Sequence, residues 1–522
     1  MSIQLDNTAA GIVTLKPGAS GSYSMTLPVA NASGALTNDG SGNMSFVAAG
    51  GSAATPTALG TVYGSMTTSG GTPYLTALGY NAGVVNTGVD NTFMGVSAGL
   101  VNTSGTDNTA LGYQSLKANI SGVSNVGIGA LALALNTASG NTAVGDRAAQ
   151  KTSTGSYNSA FGYYSLGNNT TGIRNTAVGF NSLAANTTGQ YNVAVGGEAF
   201  ASATTGNYNV ALGYQAIGVG VTTGDGNIAI GYLSLYNLTS GANNTAVGRS
   251  SLQANTTGTE NSALGLRALQ SSTTGSSNSA LGVDALKTNT IGDNNSATGG
   301  YALSANTTGG SNSAHGYQSL LSNTTGTSNS ALGNGALRSN TTGIQNTGCG
   351  NASLYSLTSG NNNVGFGEEA LFNLTTGSSN VGLGFNAGVE AAVINITTQS
   401  NYIAVGNNAS TNAYIKIAWT VTSDARDKTE VKPVPHGLSF VNQLNPVSFK
   451  FTKSRVDATP TGDVRYGFLA QDILALEGSD SVVIDAKDSE NLKYTDQNMT
   501  AILVKAIQEL KAEFDAYKAT HP

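Results

Sequence analysis

The segment SDARDK at residues 423–428 sets a hydroxyl, Ser423, five positions before an amine, Lys428, with Asp424, Arg426 and Asp427 between them. A serine hydroxyl becomes a nucleophile only with a base beside it, and a lysine serves as that base if burial or a nearby cation lowers its pKa. Asp427, adjacent to the amine, acts in the other direction and favours the protonated form. Taken alone, the hexapeptide reads as a polar, charged turn, because short Ser/Lys spacings are common. His315 and Cys349 could do chemistry by type, but both fall at a position held by leucine in sister segments, Leu281 and Leu332. Their surroundings are small and neutral, so they read as tolerated variants at a packed position. The alternative for His315 is stacking of three copies about a trimer axis, with an ion between them. A single cysteine excludes an intrachain disulfide and a cysteine-built metal site, and no metal or cofactor is expected. Glycoside cleavage needs two carboxylates at a controlled separation. Glu198, Asp225, Glu260, Asp284, Asp293, Glu368 and Glu369 are scattered, which leaves only an intersubunit pair for a glycan depolymerase.

The elements that hold these residues are repetitive. From Gly79 to Gly384 the chain repeats a unit close to G-x-x-[AS]-L-x-x-N-T-T-G-x-x-N-[ST]-A-[VL], with nineteen leading glycines at a mean period of 16.9 residues. Self-similarity at a fixed period marks stacked supersecondary units. The residue before each leading glycine is apolar (Val178, Val195, Leu212), and so is the residue four after it (Leu183, Phe200, Ile217). These positions alternate with small polar residues, the period of short half-buried strands, and N-T-T-G reads as a turn with glycine at positive φ. Two short strands and two turns are expected per unit, with no room for a helix. The fold class is mostly β: a trimeric β-helix or β-roll shaft of about 17-residue repeats, followed by a small α+β domain with a C-terminal helix. The trimer is inferred from a thin apolar supply, since one narrow coil would have a poor core and three chains could share their Val/Leu edges.

Composition agrees with a backbone-dominated solid. Glycine is 69 of 522 residues, and charged residues are 10% of the chain against roughly a quarter in an ordinary soluble domain. The net charge of −6 gives no electrostatic reason for a nucleic-acid partner. No run of about 18 apolar residues and no signal-like N-terminus occur, so no membrane insertion is expected. The scarcity of charge is local: residues 423–522 carry 27 of the 50 charged side chains. Four parts follow: a β-rich attachment region (1–78), the repeat shaft (79–384), a distal cap (385–422) containing the only tryptophan, Trp419, and a terminal domain (423–522). In that domain Leu503, Ile507, Leu510, Phe514 and Tyr517 form a heptad stripe on one helix, able to meet its own domain or two sister helices.

The terminal motifs carry a resemblance. SDARDK, GLSFVNQLNPVSFKF at 437–451, YGFLAQDI at 466–473 and the closing YTDQNMTAILVKAIQELKAE resemble the C-terminal intramolecular chaperone of phage tail spikes and fibres, the endosialidase-type family classed as peptidase S74. Near the N-terminus, TLP…GALTNDGSGNMSF resembles a segment that precedes phage fibre shafts, and the repeats resemble the trimeric β-rolls of YadA-like adhesin heads. The family resemblance implies a chaperone that registers three chains and then cuts itself off, with Ser423 as nucleophile, Lys428 as general base and Thr422–Ser423 as the scissile bond. It implies a single self-cleavage and no turnover enzyme. The implied protein is a homotrimeric virion tail fibre or spike, made in the host cytoplasm. Its partners would be two identical chains, a tail or baseplate protein at the N-terminal end, and a host surface glycan or protein. A bacterial trimeric surface adhesin is the runner-up, with the depolymerase behind it.

Overall fold

The computed structural model describes residues 75–389, 394–407, 409–410, 423–452, 457–478, 481–487, 489 and 492–521, with the backbone of five short strands between residues 12 and 65. It divides into two compact units, Met1–Ala229 and Ile230–Pro522.

In the first unit, Ile12–Leu15 pairs antiparallel with Tyr23–Thr26, and Gly34–Asn38 with Met44–Ala48. From Leu75–Leu78 onward the pairing is parallel, one short strand per repeat. Thr176, Ala177 and Val178 lie beside Val193, Ala194 and Val195, seventeen residues later. One repeat is therefore one coil of a β-solenoid, and each strand residue pairs with its counterpart in the next coil.

The expected second strand is absent from the described coils. The apolar position four after the leading glycine lies in a turn, where Asn181 has φ 52° and Leu183 φ 49°. Left-handed conformations cost about 1–2 kcal/mol per residue and do not extend a strand. Burying Leu183 completely returns about 1.5–3 kcal/mol, and its N–H donates to Ala199 O in the next coil at 3.0 Å. Packing between coils thus overrides local preference.

The strand also turns opposite to a simple apolar-in reading. In each triplet the middle residue is buried, as with Ala177 and Ala194, whereas Val178 and Val195 face outward. The interior is completed by asparagine. Asn192 is fully buried; its Nδ2 donates to Gly206 O at 2.8 Å. Its Oδ1 accepts the Asn209 N–H at 2.9 Å. A second buried row joins Asn186 Nδ2 to Asn169 Oδ1 at 2.8 Å and to Gly189 O at 3.1 Å. Hydrogen bonding offsets the cost of burying these amides, except at Asn186 Oδ1, which has no hydrogen-bond partner. This corrects the premise of a poor core: each coil fills its interior from its own alanine, leucine, serine and asparagine.

Glycine serves two purposes. Gly196 has φ +134°, and a Cβ there would sit 2.6 Å from Gly213 O. Gly189, in the N-T-T-G turn, lacks positive φ; a Cβ would instead meet Asn186 Oδ1 and Gly206 O, both at 2.4 Å. The turn glycine is required by close approach, not by backbone handedness.

The second unit is built of coils of the same kind, with parallel strands from Thr245–Val247 to Ile403–Val405. The final step is longer, with Val381 beside Ile403. Trp419 and Thr422, at the end of the expected cap, lie outside the described residues. The terminal domain comprises helix α1 (Leu438–Val441), an antiparallel pair Val447–Thr452 and Pro460–Gly467, helix α2 (Ala470–Glu477), a short pair Ile484–Asp485 and Lys493–Tyr494, and helix α3 (Asp496–Thr520). Its core is Phe440, Ile473, Val483, Ile484, Met499 and Ile502. The Glu477 carboxylate, itself buried, accepts the N–H groups of Val482, Val483 and Ile484 at 2.9, 2.7 and 3.0 Å. Among the described residues no helix is long and apolar enough to cross a membrane.

Candidate functional site

Residues Ala425–Asp427 form one 3-10 turn, and that turn sets the geometry of SDARDK. Asp424 caps it by accepting the Arg426 N–H at 2.8 Å, and the Arg426 Nε and Nη2 close on the same carboxylate at 3.0 and 2.5 Å. Asp427 N–H donates to Asp424 O and Lys428 N–H to Ala425 O, both at 3.2 Å. The chain doubles back, and Lys428 Nζ reaches Ser423 Oγ at 2.6 Å and Ser423 O at 3.3 Å.

The electrostatics are those of an exposed turn. The Arg426 side chain, and secondarily its N–H, hold the Asp424 carboxyl below the usual carboxylate range. Among the described residues the ion pairs are Arg267–Asp284, Arg426–Asp424, Lys505–Glu509 and Lys511–Asp515. Neither Lys428 nor Asp427 belongs to them. Ser423 and Lys428 are solvent-exposed. An amine in hydrogen-bond contact with a hydroxyl has the reach a general base requires. Thr422, across the expected scissile bond, lies outside the described residues.

The other candidates are placed elsewhere. His315 and Cys349 are half-buried on the outward side of their strands, which corrects the packed-position reading. Strand alternation points the residue before each leading glycine away from the core. His315 Nε2 lies 3.0 Å from Ser313 Oγ. Among the described residues no group of three or more His, Cys, Asp or Glu could hold a metal ion. Several scattered carboxylates bond one coil away. Asp284 Oδ2 accepts from Arg267 Nη2 at 2.8 Å, Glu198 Oε2 from Gln215 Nε2 at 2.6 Å, and Asp293 Oδ1 from the Ser276 N–H at 2.7 Å.

Sequence reasoning missed how α3 is attached. Its buried residues are Met499, Ile502 and Ala506, a second stripe legible in hindsight from spacings of three and four. Glu509 Oε2 accepts the Leu438 N–H at 2.6 Å, and Lys505 Nζ donates to Val434 O at 2.6 Å. The heptad stripe adjoins this contact and is left uncovered: Leu503, Ile507, Leu510, Phe514 and Tyr517 are 41–66% exposed.

Residues 423–482 match the family model Peptidase S74, described as chaperone of endosialidase. No curated protein and no solved structure matches the chain. With about 17-residue coils stacked as a β-solenoid ahead of that match, the chain carries a C-terminal chaperone-of-endosialidase domain, a combination that supports a tail-fibre-like protein.

Proposed function

We propose that the chain is the shaft of a homotrimeric virion tail fibre or spike that takes part in host attachment, and that its C-terminal domain directs trimerisation and folding and then releases itself at Thr422–Ser423. The observation that carries this reading is the exposed heptad stripe of α3, apolar at five successive positions beside the face that already fills its own domain. Such a stripe has the a/d spacing of a helix seam, and two further copies of the chain supply identical stripes. The outward row of the solenoid, with Leu264, Leu281, Leu332 and Phe366 exposed, supplies a second apolar edge. Val464 and Tyr466 on the exposed Pro460–Gly467 strand supply a third.

The cleavage chemistry follows from Ser423 and Lys428. The amine removes the hydroxyl proton as Oγ attacks the carbonyl carbon of residue 422. The C–N bond to the Ser423 nitrogen breaks, that nitrogen takes up a proton, and an ester to Oγ remains. Water hydrolyses the ester, leaving a carboxylate on residue 422 and restoring the hydroxyl. The base must be neutral at the moment of attack, so assembly that shields Lys428 from water would activate it. Loss of the registering domain after assembly would leave the shaft kinetically trapped.

Denaturing gels of the full chain test cleavage. Wild type should lose the 100 residues 423–522, whereas Ser423→Ala and Lys428→Ala should stay at full length. No difference between wild type and Ser423→Ala ends the cleavage reading. Expression of residues 1–422 without the domain should give aggregated or unassembled shaft. Soluble native trimers from that truncation would overturn the chaperone role, and a monomer for Ser423→Ala in light scattering would overturn the trimer.

A further inference from the structure

We propose that Asp424 and Arg426 form a positioning clamp for the Ser423–Lys428 pair, folding an otherwise unsupported turn so that Nζ meets Oγ. The inference rests on the reading of Ser423 and Lys428 as the cleaving pair, and adds two residues whose described hydrogen bonds run to each other and not to the Ser423 hydroxyl.

The turn needs such a device. Five residue steps span up to about 17 Å when extended, yet Nζ and Oγ are 2.6 Å apart. No residue of the turn is buried, so no core holds it. Its two backbone hydrogen bonds are long, at 3.2 Å, and a single helical turn is unfavourable without side-chain support. The Asp424 carboxylate is the group that ties the turn together: it accepts the Arg426 backbone N–H and both Nε and Nη2 of the guanidinium. A planar guanidinium matches a carboxylate with two parallel bonds, which a lysine cannot reproduce.

The clamp also settles which charge Lys428 meets. A free carboxylate at Asp424 would compete with Ser423 for the amine and hold it protonated. Paired with Arg426, that carboxylate is occupied, and the described partners of Nζ are the Oγ and O of Ser423. Asp424 therefore shapes the turn, and Arg426 keeps Asp424 from capturing the base.

The test is a cleavage time course on full-length chain with Asp424→Ala, Asp424→Asn, Arg426→Ala and Arg426→Lys, beside wild type and Ser423→Ala. Displacing a reacting group by about 1 Å costs about a hundredfold, so Asp424→Ala should slow cleavage by about that factor. Asp424→Asn retains an N-cap acceptor and should recover most of the rate, a rescue that mere loss of folding would not give. Arg426→Ala should slow cleavage more than Arg426→Lys. Wild-type rates in both alanine variants overturn the clamp while leaving the Ser–Lys pair intact. Cleavage in Ser423→Ala overturns the pair itself. A crystal structure of the Asp424→Ala chain decides the matter even if wild type does not cut. Separation of Nζ from Oγ beyond hydrogen-bond range supports the clamp, and an unchanged contact overturns it.

Discussion

The backbone N–H of Asn312 donates to Oδ1 of Asn295 at 3.0 Å, seventeen residues earlier, and the Asn312 amide donates to the same oxygen at 3.2 Å. The next asparagine, Asn329, repeats both bonds onto Asn312 Oδ1. A side chain that looks like turn chemistry along the sequence is, between coils, a buried ladder rung. Asn312→Ala would leave the Asn329 N–H without its oxygen, whereas Gly326 O would keep the Asn323 amide at 3.0 Å. At about 1–3 kcal/mol for an orphaned buried group, the expected loss is about 2 kcal/mol. Hydrogen exchange should show it confined to neighbouring coils, as nearest-neighbour coupling in repeat arrays requires. Asn334→Ala, on the exposed face, should stay within about 0.5 kcal/mol of wild type.

Two glycines on the same unit should respond oppositely. Gly265 has φ +140°, and a Cβ would lie 2.4 Å from Gly282 O. The obstruction is backbone, so Gly265→Ala should cost at least about 3 kcal/mol or prevent recovery of folded protein. At Gly300 the nearest atom to a Cβ is Tyr317 Cδ2 at 3.4 Å, and alanine should fold normally. Thermal unfolding of the two variants makes the comparison.

In the terminal domain, Glu477→Gln exchanges one carboxylate oxygen for an amide nitrogen. All three neighbours are N–H donors, so the nitrogen faces a donor and one buried N–H loses its acceptor. The expected loss is about 2 kcal/mol, read as an earlier urea transition of this domain with solenoid melting unchanged.

The two sides of α3 should separate folding from assembly. Ile502 is 3% exposed in the domain core, and Ile502→Ala should cost about 2–5 kcal/mol and reduce helix content. Ile507 is 66% exposed. Ile507→Asp should keep the circular dichroism of the fold while lowering the mass in light scattering to that of a single chain.

The Asp424–Arg426 pair carries a pH signature. Its folded pKa is depressed by Arg426. The stabilisation is present above the unfolded aspartate value of about 3.9 and is lost as pH falls through the lower folded value. A carboxyl-carbon NMR titration should find Asp424 below the ordinary midpoint, and Arg426→Ala should return it there. Because the pair is exposed, high salt should weaken the effect.

The coil period, the break in charge near residue 422 and the order of the terminal motifs were legible because each is a property of the chain in one dimension. Leu183 was legible as a core position and Gly196 as an obligatory glycine for the same reason. Val178 was harder, since apolar character does not say which side of a three-residue strand faces inward. Asn192 was hardest: its partners, Asn209 and Gly206, belong to the following coil, and no local pattern shows that a polar amide will be satisfied inside.

By itself, then, the sequence determined how often the backbone returns, where glycine is compulsory and where one part ends. Tertiary structure decided which side chains meet. Ser423 and Lys428 stand five residues apart, a spacing that allows anything from contact to about 17 Å, and a turn tied by Asp424 and Arg426 selects contact. The two stripes of α3 are likewise both present in the sequence. Only the position of Phe440, Ile473 and Val483 determines that Met499 and Ile502 are covered and that Ile507 and Phe514 remain outside. The physical reason is common to both. Periodicity is set by local geometry, whereas burial and hydrogen bonding depend on groups that the chain brings together only when it folds.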